Sequence, residues 1–143
     1  MSIRQLSIFA ENKPGILVEI TSALADAHID IRAMSIADTS DYGICRLIVN
    51  NIEDAKAALS GIGFIVSETY VLAAAVPDSP GALTDIMKLL ADNDINVEYM
   101  YAFFTVSKKY AYVVLRVPNN EIASNILTEH GIRLISDEDI KNL

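Results

Sequence analysis

The sequence contains the hexapeptide Asn12-Lys13-Pro14-Gly15-Ile16-Leu17, and the same pattern of residue classes returns as Asp78-Ser79-Pro80-Gly81-Ala82-Leu83. Each hexapeptide joins a short apolar run to an amphipathic segment through a polar residue, a proline and a glycine. This order is typical of a strand that leads into a helix. The first turn of such a helix leaves backbone N–H groups without intrahelical partners and can hold an anion.

The repeat extends through the whole chain. An offset of 66 residues aligns the two Pro-Gly pairs and carries Ile20 onto Ile86, Leu24 onto Leu90 and Met34 onto Met100. Farther on the offset becomes 68, which aligns Tyr42 with Tyr110, Leu47 with Leu115, Leu59 with Leu127 and Gly63 with Gly131. So many matches in the same order indicate a duplication.

Each unit is predicted to have the order β-α-β-β-α-β. In the first unit, residues 3–9 are predicted to form a strand, and Pro14 lies near the first position of a helix that ends near His28. The apolar stripe of this helix is Leu17, Ile20, Thr21 and Leu24. Strands follow at residues 31–38 and 42–49 with a turn at 39–41, and the matching turn of the second unit is predicted at 106–109. A second helix carries Ala55, Ala58 and Leu59, with capping residues at Asn50 and Asn51.

The fold class is therefore α+β, with two tandem ferredoxin-like units at residues 1–68 and 69–143. Their sheets are antiparallel, with helices on one face. Residues 64–76 are a nearly continuous run of strand formers, so no flexible linker is expected. The helix-facing side of the third strand is predicted to carry residues that are apolar in both units, namely Cys45, Leu47, Val49, Val113, Leu115 and Val117.

The opposite side of the third strand carries Tyr42, Ile44, Arg46 and Ile48 in the first unit and Tyr110, Tyr112, Val114 and Arg116 in the second. This side is too apolar for a free surface. We expect that part of it is covered by the other repeat or by another chain.

Composition excludes several classes of protein. The 143 residues are 52% hydrophobic, which is ample for a buried core, and the net charge of −8 disfavours binding to nucleic acid or to anionic membranes. The single Cys45 has no disulfide partner, which fits a reducing compartment, so a soluble cytoplasmic protein is expected. His28 and His130 have no neighbours at ligand spacing, and neither a metal nor a cofactor is expected.

With the two Pro-Gly turns in a duplicated βαββαβ pattern, the sequence resembles the ACT domain, a module that senses amino acids in enzymes and regulators of amino-acid metabolism. The resemblance covers nearly the whole chain. It implies that modules pair through sheet edges or faces, and a homodimer is expected. It also implies that a free amino acid binds between modules, at the turn of one and the start of strand two of its neighbour.

The resemblance implies polar ligand contacts from Asn12 and Asp78 in the turns and from Asp30 and Asn96 at strand two. Gly15 and Gly81 would allow close approach of the ligand to the backbone. The full expected set of ligand-binding residues is Asn12, Lys13, Pro14, Gly15, Ile16, Leu17, Asp30, Ile31, Met34, Asp78, Ser79, Gly81, Ala82, Leu83, Asn96, Val97 and Met100.

The residue types agree with an amino-acid ligand. A zwitterion needs N–H donors for its carboxylate and carbonyl or carboxylate acceptors for its ammonium group. The first unit has asparagine in the turn and aspartate at strand two, whereas the second unit has aspartate in the turn and asparagine at strand two. Sites that combine two units would therefore pair Asn12 with Asn96 and Asp78 with Asp30. The Asn-Asn pair resembles the one that holds the effector in family members sensing a small amino acid, and we expect one high-affinity ligand per chain.

Structural alternatives remain open for most of these residues. Asn12 and Asp78 could serve only as helix caps, and Asp30 and Asn96 only as turn residues. Met34 and Met100 suit either the core or an adaptable ligand pocket, and Tyr99 and Tyr101 suit either ligand stacking or sheet packing. Cys45 is expected to be a small buried hydrophobe rather than a nucleophile.

Three functions are candidates for this sequence. The first is a non-enzymatic, amino-acid-binding regulatory protein that acts on a metabolic enzyme or regulator. The second is an enzyme of phosphatase type, which is disfavoured because the Lys13 turn lacks an arginine and no catalytic constellation is present. The third is a structural or regulatory subunit of a metabolic enzyme with no ligand of its own.

Overall fold

The computed structural model describes residues 1–38, 42–104 and 109–143. Both predicted hairpin turns, at 39–41 and 106–109, lie outside the described residues except for Lys109. The first six elements are β1 (Ile3–Glu11), α1 (Ile16–Asp26), β2 (Ile31–Asp38), β3 (Tyr42–Val49), α2 (Ile52–Gly61) and β4 (Ile65–Pro77). The remaining five are α3 (Ala82–Asp92), β5 (Tyr99–Ala102), β6 (Tyr110–Arg116), α4 (Asn120–Glu129) and α5 (Asp137–Lys141). The predicted α+β class is confirmed.

The chain divides into two compact units. The first unit consists mainly of Arg4–Thr69, and the second consists mainly of Tyr70–Lys141 together with Met1–Ile3. The boundary falls within β4, which is a continuous strand of 13 residues.

In the first unit the strand order is β2-β3-β1, and both pairings are antiparallel. Leu47 of β3 lies opposite Leu6 of β1 and Met34 of β2, so these side chains share one face of the sheet. This face packs on the two helices of the unit. The buried core comprises Leu6, Ile8, Ile20, Leu24, Ile29, Cys45, Leu47, Val49, Ile52, Ala55 and Leu59.

In the second unit the order is β4-β6-β5, again antiparallel, with Leu115 of β6 opposite Leu72 and Met100. Its core comprises Leu72, Ala74, Val76, Ile86, Leu90, Val113, Leu115, Val117, Ala123, Leu127 and Leu134. The helix-facing sides predicted for both third strands are thus correct. On the opposite face Ile48 and Val114 are buried, whereas Tyr42 and Tyr110 are exposed.

The end of the second unit differs from the prediction. The final strand is reduced to a single bridge between Ala74 and Leu134, and the short helix α5 follows it. Ser136 and Asp139 cap this helix reciprocally, because the Asp139 amide donates to Ser136 Oγ at 3.1 Å and the Ser136 amide donates to Asp139 Oδ2 at 2.9 Å. The bond from the Ser136 amide, together with a second one from Ser136 Oγ to Asp139 Oδ2 at 2.9 Å, lowers the pKa of Asp139. The Ser-x-x-Asp spacing could have predicted this helix start.

The start of α1 lies close to the predicted position, but one residue of its predicted apolar stripe is exposed. Pro14 lies in the turn before the helix, and Gly15 is the N-cap residue. Ile20 and Leu24 are buried as predicted, but Leu17 is 37% exposed and Thr21 is only partly buried. The predicted stripe is wrong at Leu17 because the first turn of α1 extends beyond the packed core.

Candidate functional site

A cavity of about 220 Å³ lies beneath the first turn, which we define as residues 12–17. All of its lining residues belong to the first unit. Besides the first turn, they are Ala10, Glu11, Val18, Ile20, Ile36, Gly43 and Cys45. We call this space the first-turn cavity. It is smaller than the roughly 300–1,000 Å³ of sites for drug-sized ligands, and it therefore suits a smaller molecule.

The shape of the first turn comes from its backbone. The Lys13 amide donates to the Glu11 carbonyl at 3.0 Å, and the Ile16 amide donates to the Lys13 carbonyl at 3.3 Å. Gly15 has φ of 89° and ψ of −12°, in the left-handed region that glycine adopts without strain. A Cβ added at Gly15 would meet nothing within 4 Å. Glycine is therefore required by the backbone conformation and not by lack of space.

The first turn leaves the start of α1 without a side-chain cap. Gly15 is the N-cap residue and has no side chain that could accept a hydrogen bond from the amides of α1. In contrast, Asn51 accepts from the Asp54 amide at the start of α2, and Asn119 accepts from the Ile122 amide at the start of α4, each at 3.1 Å. Ile16, Leu17 and Val18 of the first turn of α1 line the first-turn cavity, so the positive end of the α1 dipole lies beside it.

The backbone geometry is duplicated in the second turn, which we define as residues 78–83. Gly81 has φ of 89° and ψ of −13° and is the N-cap of α3, again without a side-chain cap among the described residues. The Ser79 amide donates to the Pro77 carbonyl at 2.9 Å, and the Ala82 amide donates to the Ser79 carbonyl at 3.2 Å. Gly15 and Gly81, rather than Asn12 and Asp78, therefore occupy the N-cap positions of these helices.

The charged groups that line the first-turn cavity form a weak ion pair. Lys13 Nζ lies 3.7 Å from Glu11 Oε2, and both side chains are more than half exposed. Exposed pairs of this kind contribute little to stability, typically about 0–1 kcal/mol, and remain available to a ligand. Asn12 adds an amide that can both donate and accept hydrogen bonds.

Cys45 forms part of the cavity floor and belongs to the first core. It is only 3% exposed, and burial raises the pKa of its thiol to about 11. The thiol is therefore neutral near pH 7 and acts as a small apolar group, as the sequence predicts.

The raised pKa predicts an alkaline loss of stability. The unfolded chain ionises this thiol near its ordinary pKa of 9.0, whereas the folded chain resists ionisation up to about 11. The stabilisation is thus fully present below pH 9 and is lost as the pH rises from about 9 to about 11. Cys45→Val, which copies the matching Val113, should lose less stability than the original chain between pH 8 and pH 10.5. Chemical denaturation at both pH values measures the difference, and equal losses would contradict the prediction.

Eleven of the predicted ligand-binding residues lie outside the lining of the first-turn cavity, namely five in the second turn (Asp78, Ser79, Gly81, Ala82 and Leu83) and six elsewhere. Asp30 is exposed, and its amide donates to Asn50 Oδ1 at 3.0 Å, which suits a turn residue. Asn96 and Met100 are also exposed. The other three are partly buried and pack against the two cores, namely Ile31, Met34 and Val97. The pairings of Asn12 with Asn96 and of Asp30 with Asp78 stay predictions.

The remaining candidate residues have structural surroundings. Tyr99 and Tyr101 stack on each other with ring centroids 6.4 Å apart. His130 Nδ1 lies 2.8 Å from the Ile126 carbonyl oxygen. Within residues 1–38, 42–104 and 109–143, no group of three or more His, Cys, Asp or Glu side chains is arranged to hold a metal ion.

Sequence reasoning missed the part of the cavity that the sheet supplies. Ala10, Ile36, Gly43 and Cys45 come from three strands and meet only through the strand register. One signal was available, because Gly43 interrupts a run of strand formers. An isolated glycine in a strand often marks a close approach of another group.

The fold and the two turns define an ACT domain pair, which is a regulatory type of domain. The sequence profile of the ACT domain pair matches residues 1–143, and the chain belongs to this family. No curated protein matches the sequence. None of the described helices is long and apolar enough to cross a membrane.

Solved structures resemble the chain over most of its length. Protein BT0572 from Bacteroides thetaiotaomicron is 36% identical, with a TM-score of 0.92, and the match covers 100% of this chain and 98% of that one. The regulatory subunit of aspartate kinase from Thermus thermophilus, in a ligand-free form, is 16% identical with a TM-score of 0.62. This match covers 88% of this chain and 90% of that one. The regulatory subunit of aspartate kinase from Thermus flavus is 16% identical with a TM-score of 0.61, and the match covers 87% of this chain and 88% of that one. The latter two matches show the fold alone.

Proposed function

We propose that the chain is a non-enzymatic sensor that binds a free amino acid in the first-turn cavity and regulates amino-acid metabolism. The observation that carries this proposal is the uncapped start of α1 beside a cavity of about 220 Å³. A helix start without a cap attracts an anion, and the adjoining apolar space can take a side chain. Both parts of an amino acid thus have matching surroundings within one unit.

The carboxylate of the ligand would lie against the first-turn amides of α1. Ile16, Leu17 and Val18 border the cavity, and Gly15 allows close approach of the ligand to the backbone. The helix dipole adds a favourable interaction with negative charge at this end.

The ammonium group would be held by oxygen acceptors at the other side of the turn. Asn12 and Glu11 both border the cavity, and their side chains carry a carbonyl oxygen and a carboxylate. Lys13 partly balances Glu11, so the rim has donors and acceptors without a large net charge. This mixture suits a zwitterion better than a simple anion or cation.

The regulatory output requires a partner surface. Leu17, Val18 and Ile36 border the cavity and are exposed, and Ile36 lies on β2, the edge strand of the order β2-β3-β1. This supports a homodimer through a sheet edge, or contact with a metabolic enzyme or regulator. The ligand would regulate such a partner if it binds two states of the chain with different affinity. The regulatory role named for the two Thermus relatives is consistent with this output.

The experiment is a thermal-shift screen of the twenty amino acids, followed by calorimetry on those that stabilise the chain. A ligand at 100 times its Kd should add about 2.7 kcal/mol to the free energy of unfolding. Calorimetry should give about one ligand per chain. Asn12→Ala should weaken binding about 10- to 150-fold, because a hydrogen bond to a charged group contributes about 1.5–3 kcal/mol.

Asp78→Ala at the matching position of the second turn is the control and should leave the affinity unchanged. Light scattering with and without the ligand measures the predicted dimer in the same samples. If no amino acid stabilises the chain at millimolar concentration, the chain is a subunit without its own ligand and the proposal fails. Two equivalent sites per chain would contradict the assignment to the first turn alone.

A further inference from the structure

The lining of the first-turn cavity also constrains the identity of the ligand. Resting on the function proposed above, we infer that the bound amino acid has an uncharged, apolar side chain whose size is limited by Ala10 and Gly43. These two residues are then the specificity-determining residues of the site.

The floor of the cavity carries no charge. It is made by Ala10, Ile20, Ile36, Gly43 and Cys45, and the Cys45 thiol is neutral at physiological pH. The charged groups that line the cavity, Glu11 and Lys13, belong to the rim and lie near each other. A carboxylate or ammonium group on the ligand's side chain would lose its hydration at the floor without gaining an opposite charge. An apolar side chain gains from the same burial.

The space above the floor exists because two small residues lie opposite each other. Ala10 of β1 pairs with Gly43 of β3, directly before the first turn. Gly43 lies two residues before Cys45, so both positions face the helices. A Cβ at Gly43 would lie 3.7 Å from the Ala37 carbonyl oxygen and 3.9 Å from both the Ala10 carbonyl oxygen and Ile36 Cγ2. These are ordinary contacts, so a methyl group fits there and takes room from the cavity.

The second unit has the same turn but larger residues at the matching pair. Val76 pairs with Ala111, in the register that Ala10 and Gly43 have in the first unit. The exchange of Ala10 for Val76 and of Gly43 for Ala111 adds three carbon atoms. Val76 is buried in the second core. Small residues at this pair are therefore a property of the first unit and not a requirement of the duplicated turn.

The test compares Gly43→Ala with Ala111→Val in the full chain. Calorimetry measures the affinities of both variants for alanine, valine, leucine, aspartate and lysine. The original chain should prefer an apolar amino acid over aspartate and lysine by at least about tenfold. Gly43→Ala should lower the affinity for the largest apolar amino acid that binds roughly 10- to 100-fold, because the added methyl group overpacks the cavity around a large side chain. The affinity for alanine should change by less than about threefold, because its small side chain still fits. Ala111→Val enlarges the side chain at the matching position of the second unit and should leave the affinities for all five amino acids unchanged.

Ala10→Val, which copies Val76, is a second variant that should narrow the same space and shift the preference in the same direction. Thermal unfolding of each variant without ligand verifies that it folds. If the amino acid that binds at the first turn is charged, this inference is overturned and the proposed function stands. The same holds if Gly43→Ala and Ala10→Val weaken the binding of all the amino acids equally. If no amino acid binds the original chain, the proposed function fails and the inference fails with it.

Discussion

Leu47→Ala should lower the free energy of unfolding by about 3–5 kcal/mol, which is the range for removing a fully buried leucine from a packed core. Leu47 has no exposed surface and lies at the centre of the first sheet, opposite Leu6 of β1 and Met34 of β2. Its neighbours are held by two strands and two helices, so the cavity left by the substitution cannot easily collapse. Denaturant unfolding monitored by circular dichroism measures the loss.

Two further variants make this prediction specific. Leu115→Ala, at the matching position of the second unit, should cost a similar amount because Leu115 is also fully buried, opposite Leu72 and Met100. Ile65→Ala should cost less than about 1 kcal/mol, since Ile65 is 70% exposed. A loss below 1 kcal/mol at Leu47 would mean that β3 has a different register from the one described.

Gly15→Val should destabilise the chain by about 1–3 kcal/mol and should also abolish measurable binding of the amino acid. A β-branched residue adopts positive φ only with strain of this size. Because a Cβ at Gly15 meets no atom within 4 Å, the destabilisation comes from the backbone and not from a clash. The relaxed backbone would move the α1 amides away from the carboxylate, and two side-chain methyl groups would occupy the approach of the ligand. Denaturant unfolding and calorimetry measure the two effects separately.

Gly81→Val is the matched control because Gly81 has the same φ of 89° and nearly the same ψ at the start of α3. It should cause a similar loss of stability and leave the affinity for the amino acid unchanged. Equal loss of affinity in both variants would place binding at both turns and would contradict the one-site proposal. Unchanged stability in either variant would contradict the left-handed conformation of that glycine.

Much of the fold is a local consequence of the sequence. β2 and β3 have the predicted bounds of 31–38 and 42–49, because alternating apolar residues of high β-propensity define a strand and its faces without knowledge of its partners. The duplicated turn was likewise predictable, since proline and glycine restrict the backbone locally. The helix-facing side of β3 followed from comparison of Leu47 with Leu115, because only a buried face keeps the same apolar residues in both units.

The sequence was less informative where an element depends on distant partners. β5 has only four residues, Tyr99–Ala102, although its counterpart β2 has eight. The last strand of the second unit is a single bridge at Leu134. A strand extends only as far as a neighbouring strand pairs with it through backbone hydrogen bonds. The alternation of residues within the strand itself does not show where that pairing ends.

The six residues of the first turn were predicted as ligand-binding residues from the repeat and its resemblance to a family, and all six line one cavity. Their shared position follows from the sequence, because neighbours along one tight turn must lie together. The floor was decided by the tertiary structure. Ala10, Ile36, Gly43 and Cys45 are far apart in the chain, and only the register of three strands brings them beneath the turn. Since the side chains of a strand change faces with every one-residue shift, the same residues in another register would form no cavity there.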